Sequence, residues 1–257
     1  MASEKTRAER NYEARVDLAT AYRACNYYNL NYGIFNHITQ RAPAKDREGD
    51  VMLIVPYGLL WDEVTQSCLI GIDFETGEVV EGEGKIAETA NAIHRAIHRT
   101  RFPIDGTTSI MHTHQSYTTT LACVDDPEPF KFGLSQGSMF FYGKMAFDHG
   151  YTGFAHADDE GYRLAKVLGD KSVLMMCNHG VLTVGKRACD AFYILYELEV
   201  SAKIQVQAQS TGMKLRMAPQ ELCEKVANDY DGMDGDRLLF FKALRKQMTN
   251  QKPCVTD

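Results

Sequence analysis

Apolar residues recur every three or four positions over 5–30, where Ala14, Leu18, Ala21, Tyr22 and Cys25 share one stripe. This spacing predicts an amphipathic helix, stopped by the Asn-rich run that ends at Gly33. The pattern then shortens to strand-like segments at 34–39, 51–56, 70–73 and 79–81, the last two joined by the turn signal Glu75-Thr76-Gly77. Helical spacing returns over 88–101, with Ile93, Ala96, Ile97 and Thr100 on one face and Pro103 and Gly106 as stops. A strand is predicted at 107–114 and a helix at 158–168, for which Asp158-Asp159 suits an N-cap. Two strands at 172–178 and 181–184 meet at His179-Gly180, where glycine allows a sharp turn. A long helix over 187–211 closes at Gly212, and shorter helices follow at 219–228 and 235–248. Strands alternating with helices, without a repeat or linker, predict a single α/β domain over 1–257 with a mixed or largely antiparallel sheet. Only 1–4 and 250–257 are expected to be loose.

Composition narrows the function class. The chain of 257 residues is 44% apolar and 24% charged, enough to bury a core, and carries a net charge of −6 without a basic stripe. Neither a nucleic-acid partner nor a membrane is expected, because no apolar run approaches the ~18 residues of a span. The charged opening MASEKTRAERNYEARVD lacks a signal-peptide core, so a cytoplasmic location is expected. The seven cysteines are widely spaced and form no CxxC, and are read as reduced, mostly buried small hydrophobes.

Histidines carry the candidate chemistry. On a strand, His112 and His114 face the same way, so their imidazoles can reach one metal ion; the alternative is a pair of surface or hydrogen-bonded histidines at a strand end. His179 follows the very apolar run 173–177 and either points at something or caps local carbonyls. Together the three would supply the neutral nitrogens of a metal site with an open position. Glu88, at the start of the second helix, either stabilises that helix end or acts as a carboxylate near the metal. His94 and His98 could pair on that helix, but beside Arg95, Arg99 and Arg101 a mixed packing and surface role is favoured. His37, His149 and His156 receive no assignment.

The ordered set GIFNHITQR (33–41), PYGLLWDEVT (56–65), IHRAIH (93–98), MHTH (111–114) and NHGVL (178–182) resembles the class II aldolase/adducin family, over roughly residues 10–245. FYGKMA (141–146) is closer to the adducin-head branch. The resemblance implies a three-layer α/β/α fold with a central, mainly antiparallel sheet, and a homotetramer with active sites at subunit interfaces. It implies a divalent metal, most commonly zinc, with iron or manganese as the other choices, on the residues matching His112, His114 and His179. It also implies substrate contacts at Asn36, Thr39 and Gly58. No Gly-Asn pair stands in the 33–39 turn, which leans away from a phosphate substrate. The aldolases' catalytic glutamate falls four residues before the position of His94, which here is Ala90; Glu88 is the nearby carboxylate. Tyr117 and Tyr142 lie on segments that line the family's pocket, where a tyrosine could protonate a leaving enolate or alkoxide; packing is the other reading of each.

Three functions follow from the resemblance. The first is a metal-dependent aldolase-type lyase acting on a small hydroxy-carbonyl or carboxylate compound. The second is an Fe(II)-dependent oxygenase or decarboxylase on the same scaffold, since imidazole suits iron as well as zinc. The third is a non-catalytic adducin-like binding module; adducin heads lack the glutamate but do not generally keep the metal histidines.

Overall fold

The computed structural model describes residues 5–150, 153 and 158–257. Residues 1–4, His156 and the side chain of Asp158 that was expected to cap a helix lie outside the described part.

Helix α1 (Arg7–Tyr27) opens on a capping box, in which Thr6 and Glu9 each accept the other's backbone N–H. It ends short of the expected position 30, because Asn29 turns left-handed at φ 56° and the Leu30 N–H returns to the Cys25 carbonyl. Strand β1 (His37–Pro43) is displaced from the expected 34–39. The Asn36 Oδ1 accepts the Tyr32 N–H at 2.6 Å and holds the preceding residues in a turn. The polar-looking Gln40-Arg41 then continues the strand: Arg41 pairs with Asp50, and its guanidinium lies 3.7 Å from the Phe102 ring centroid. β2 (Asp50–Ile54), β3 (Ile70–Asp73) and β4 (Val79–Glu81) follow as antiparallel neighbours. Helix α2 (Glu88–Asp105) runs past the expected stop at 101 and through Pro103, closing at Gly106.

After β5 (Ser109–Thr113) come three elements that periodicity did not predict: α3 (Ser116–Ala122), α4 (Gln136–Met139) and β6 (Met145–Asp148). The threonine-rich α3 is a poor helix former on its own. The Glu199 carboxylate caps it from afar, accepting the Tyr117 and Thr118 N–H groups at 2.8 and 2.9 Å. The chain continues through α5 (Asp158–Leu168), β7 (Val173–Met176), β8 (Gly180–Gly185), α6 (Ala188–Ser210), α7 (Gln220–Asp231) and α8 (Asp234–Thr249).

The eight strands form one sheet in the order β4-β3-β2-β1-β5-β8-β7-β6, antiparallel throughout except for β6 beside β7. Both faces are buried, and strand alternation divides the core. Leu53, Met111, Val173 and Met175 join α1, α6 and α8 on one side. Ile110, Leu174, Met176 and Leu182 meet α2 and α5 on the other, and Met52 and Ile54 pack with Ala90 there. This is the expected three-layer α/β/α arrangement.

The C-terminal residues, expected to be loose, are packed. Val255 is fully buried, its carbonyl accepts the Gln66 N–H, and Arg23 donates to the Pro253 carbonyl at 2.9 Å. Among the described residues no helix is long and apolar enough to cross a membrane.

Candidate metal centre

The end of β5, the start of β8 and the start of β1 meet at one end of the sheet. The registers His37↔His112 and Thr113↔Val181 bring the histidines together there. One ring nitrogen each of His112, His114 and His179 lies within 4.8 Å of the others. The Nε2 atoms of His112 and His114 are 3.0 Å apart. Two ligands on a tetrahedral zinc at ~2.0–2.1 Å would stand about 3.3 Å apart, so the donor set fits such an ion with small adjustment.

Local backbone chemistry aims each ring. His112 donates its Nδ1–H to the Val181 carbonyl at 3.0 Å, which leaves Nε2 as the free lone pair. The His114 N–H donates to Asn36 Oδ1, and Gln115, next along, donates to Thr118 and to the Leu195 carbonyl. His179 leaves β7 through Asn178, which takes the left-handed φ of 56°; the turn is made there and not at Gly180 as expected. Gly180 has a different task. A Cβ on it would stand 2.6 Å from the Thr113 carbonyl oxygen and 2.8 Å from His114 Cδ2, so only glycine lets β8 lie this close to the ligand strand.

Behind the three lies a second layer of buried imidazoles. His37 Nδ1 is 2.8 Å from His94 Nε2, and the Thr39 hydroxyl is 2.8 Å from His94 Nδ1 and 2.9 Å from His98 Nε2. His98 Nδ1 has no partner among the described residues. The tautomers that leave no buried N–H unpaired run in one direction: His98 Nε2–H to Thr39, Thr39 O–H to His94, and His94 Nε2–H to His37. His94 and His98 are thus entirely buried: of the mixed packing and surface role expected for them, only the packing holds.

Burial sets the protonation of the group. Desolvation pushes His37, His94 and His112 well below the ordinary histidine range, with neighbouring imidazoles adding to the effect. His98 is pushed down to about 3 and His114 to about 4, each mainly by burial, and His179 is lowered for the same reason. All six are neutral at pH 7, the form that binds a metal.

The centre lines a cavity of about 590 Å³ between the sheet end, α2 and α5. Glu88, Asn36 and Gly58 stand on its wall with the three histidines. Asn36 has spent its oxygen, and its buried Nδ2 has no partner among the described residues. Three other expected site residues lie elsewhere. Thr39 is buried behind the wall on His94 and His98. The Tyr117 ring lies 5.6 Å from the Lys203 ammonium, and the Tyr142 ring packs against Phe132. Glu88 is outside the ligand cluster, and Ala90 is fully buried against the sheet.

Sequence reasoning missed Asp148 and Glu160, which also line the cavity. Arg163 bridges them: each nitrogen of its guanidinium meets a carboxylate oxygen at 2.7–2.8 Å, which holds the Asp148 carboxyl below the usual range. Glu160 and Arg163 stand one turn apart on α5, a signal that could have been read; Asp148 sits on the unpredicted strand β6.

The model of the class II aldolase and adducin N-terminal domain matches residues 16–206. The chain belongs to the class II aldolase/adducin family. A Pseudomonas aeruginosa protein provisionally named a class 2 aldolase is 29% identical over 249 residues, covering 94% of this chain and 91% of that one. Rat alpha-adducin is 32% identical over 196 residues, which is 75% of this chain but 25% of the adducin. Among solved structures, an aldolase II superfamily protein from Pseudomonas syringae superposes with a TM-score of 0.85 at 32% identity, covering 96% of both chains. An L-fuculose 1-phosphate aldolase from Glaciozyma antarctica gives 0.81 at 21% identity over 96% and 94% of the two chains, a likeness of fold alone.

Proposed function

We propose that this protein is a divalent-metal-dependent carbon–carbon lyase of the aldolase type, acting on a small hydroxy-carbonyl or carboxylate compound. The observation that carries the reading is the convergence of three neutral imidazoles within 4.8 Å on the wall of a cavity large enough for a small molecule. His112, His114 and His179 would hold the ion, zinc before iron or manganese. A divalent ion there supplies, when bound, a Lewis acid for the negative charge that gathers on a carbonyl oxygen as the neighbouring bond breaks.

The chain's own residues do the rest. Asn36 keeps an amide N–H that is unpaired among the described residues and can donate to a bound oxygen. Val181 fixes the tautomer of His112. Glu88, on the cavity wall at the start of α2, is the carboxylate assigned to move a proton at the carbon next to the carbonyl. Gly58 lines the substrate side of the cavity. In the same reading the protein works as a cytoplasmic homotetramer, the assembly its family resemblance implies.

One observation favours a second reading. Ala90 occupies the position where the aldolases' glutamate is expected and is sealed into the core, so the fold could hold a metal without cleaving a bond, as an adducin-like module. Deuterium exchange separates the two. Zinc-loaded protein is incubated in D₂O with hydroxyacetone, dihydroxyacetone and pyruvate, and exchange at the carbon next to the carbonyl is read by NMR. The lyase reading expects metal-dependent exchange that falls at least a hundredfold in Glu88→Gln. No exchange by the fully loaded protein supports the binding module. Iron in anaerobically purified protein together with oxygen uptake would replace the lyase with the oxygenase.

A further inference from the structure

The wall of the cavity speaks about the far end of the substrate. From His114 an aromatic path leads outward: the Tyr32 ring is 6.2 Å from the His114 ring, and the Phe35 ring is 6.2 Å from that of Tyr32. Tyr57 lines the same opening, and Tyr32, Phe35 and Tyr57 remain 62, 58 and 52% exposed. Ile86, Ile93 and Leu164 continue the apolar lining toward α2 and α5. Aromatic and apolar side chains that line a concave site offer a ligand a surface to pack on.

The charges on the same wall argue against a phosphate tail. Among the described residues Lys85 is the single lysine or arginine lining the cavity, whereas Glu88, Asp148 and Glu160 are acidic. Arg163, beside the cavity, is already committed to two of those carboxylates by four hydrogen bonds. The start of α2, which could attract an anion, carries Glu88 in its first turn. With Arg163 held by Asp148 and Glu160, a dianion seated here would find Lys85 alone among the cations of the described lining, and phosphate sites are built on more positive charge than that.

We propose that the cavity takes a carbonyl compound whose tail is an uncharged hydrocarbon of about phenyl size, lying along Tyr32, Phe35 and Tyr57, and not a sugar phosphate. The inference rests on the metal-site reading above, and names the substrate class that site would accept. The ring faces of the path favour a flat aromatic tail over a branched one, because offset or edge contacts with three aromatic rings add to the area buried.

Three hydroxamates with one chelating head test it: acetohydroxamate, phenylacetohydroxamate and phosphoglycolohydroxamate. Binding to zinc-loaded protein is measured by calorimetry at pH 7.5 in phosphate-free buffer, after the zinc content of the same sample has been read. The phenyl compound is expected to bind at least tenfold tighter than acetohydroxamate, and the phosphate compound no tighter. Phe35→Ser and Tyr57→Ser, both at exposed positions, are expected to cut the phenyl advantage to threefold or less. A phosphate compound that binds tightest, or a phenyl compound no better than acetohydroxamate, overturns the inference and leaves the metal site standing. A sample that retains no zinc overturns both.

Discussion

Acidification of the metal-free protein offers a quantitative test of the buried imidazole layer. His98 is entirely buried and pushed down to about 3, whereas in the unfolded chain it titrates near the ordinary ~6.5. At pH 8 neither state holds the proton. At pH 5 the unfolded chain is almost fully protonated at this residue and the native protein is not, so folding is weakened by about 2 kcal/mol. His37, His94 and His112 are lowered well below 6.5 by the same burial and act in the same direction, so the loss on acidification is larger than that from His98 alone. The sign follows from the lowered folded values: the unfolded state binds more protons, so stability is intact above 6.5 and is lost as pH falls toward the folded values. Asp17 and Glu197 are raised by burial and work in the opposite direction, but they are two groups against six lowered histidines. Carboxylates held low, such as Asp73 at about 2, act only in more acidic solution. A domain of this size has ~5–15 kcal/mol in total, so a loss of about 2 kcal/mol or more between pH 8 and 5 is a large and measurable share of it. Urea titrations followed by circular dichroism at pH 5, 6, 7 and 8 with a chelator present measure the drop. In His98→Gln the drop from pH 8 to 5 should shrink by about 2 kcal/mol, whatever the substitution itself costs. A stability that stays constant within about 1 kcal/mol over this range, or a drop unchanged in the variant, would refute the buried neutral layer.

Other outcomes follow from single contacts. Gly180→Ala forces a Cβ to 2.6 Å from the Thr113 carbonyl, and should cost about 1–3 kcal/mol and weaken zinc binding ~10–100-fold by calorimetry. Glu199→Ala removes the remote cap of α3 and should cost about 2 kcal/mol in urea unfolding at neutral pH. Light scattering of the metal-loaded protein should read four times the mass of one chain, and a monomer at micromolar concentration would contradict the expected assembly.

The convergence of His112, His114 and His179 was legible because two of them obey the period of a strand and the third ends one. Those are local signals, and β5 and β8 then needed only to be neighbours. The layer behind was not legible. His37 and Thr39 meet His94 and His98 across more than fifty residues, and no periodicity links a strand to the helix that crosses it. The same limit explains α3, whose weak propensity is rescued by Glu199 from α6, and β6, a short strand flanked by glycine and aromatic residues. The turn at 33–36 looked extended because Ile34 and Phe35 are apolar; they are apolar because they face the cavity, not the core. The tail 250–257 looked loose because it is polar and short, yet one buried valine and two backbone hydrogen bonds from 66 and 67 dock it.

X-ray absorption at the zinc edge, recorded on wild-type protein and on His112→Ala and His179→Ala, bears most directly on the central claim. One tightly held zinc per chain with three imidazole nitrogens at ~2.0–2.1 Å, lost or reduced to two nitrogens in either variant, is the expected result. A wild-type protein that binds no zinc, or one whose zinc shell is unchanged when His112 or His179 is removed, would contradict it.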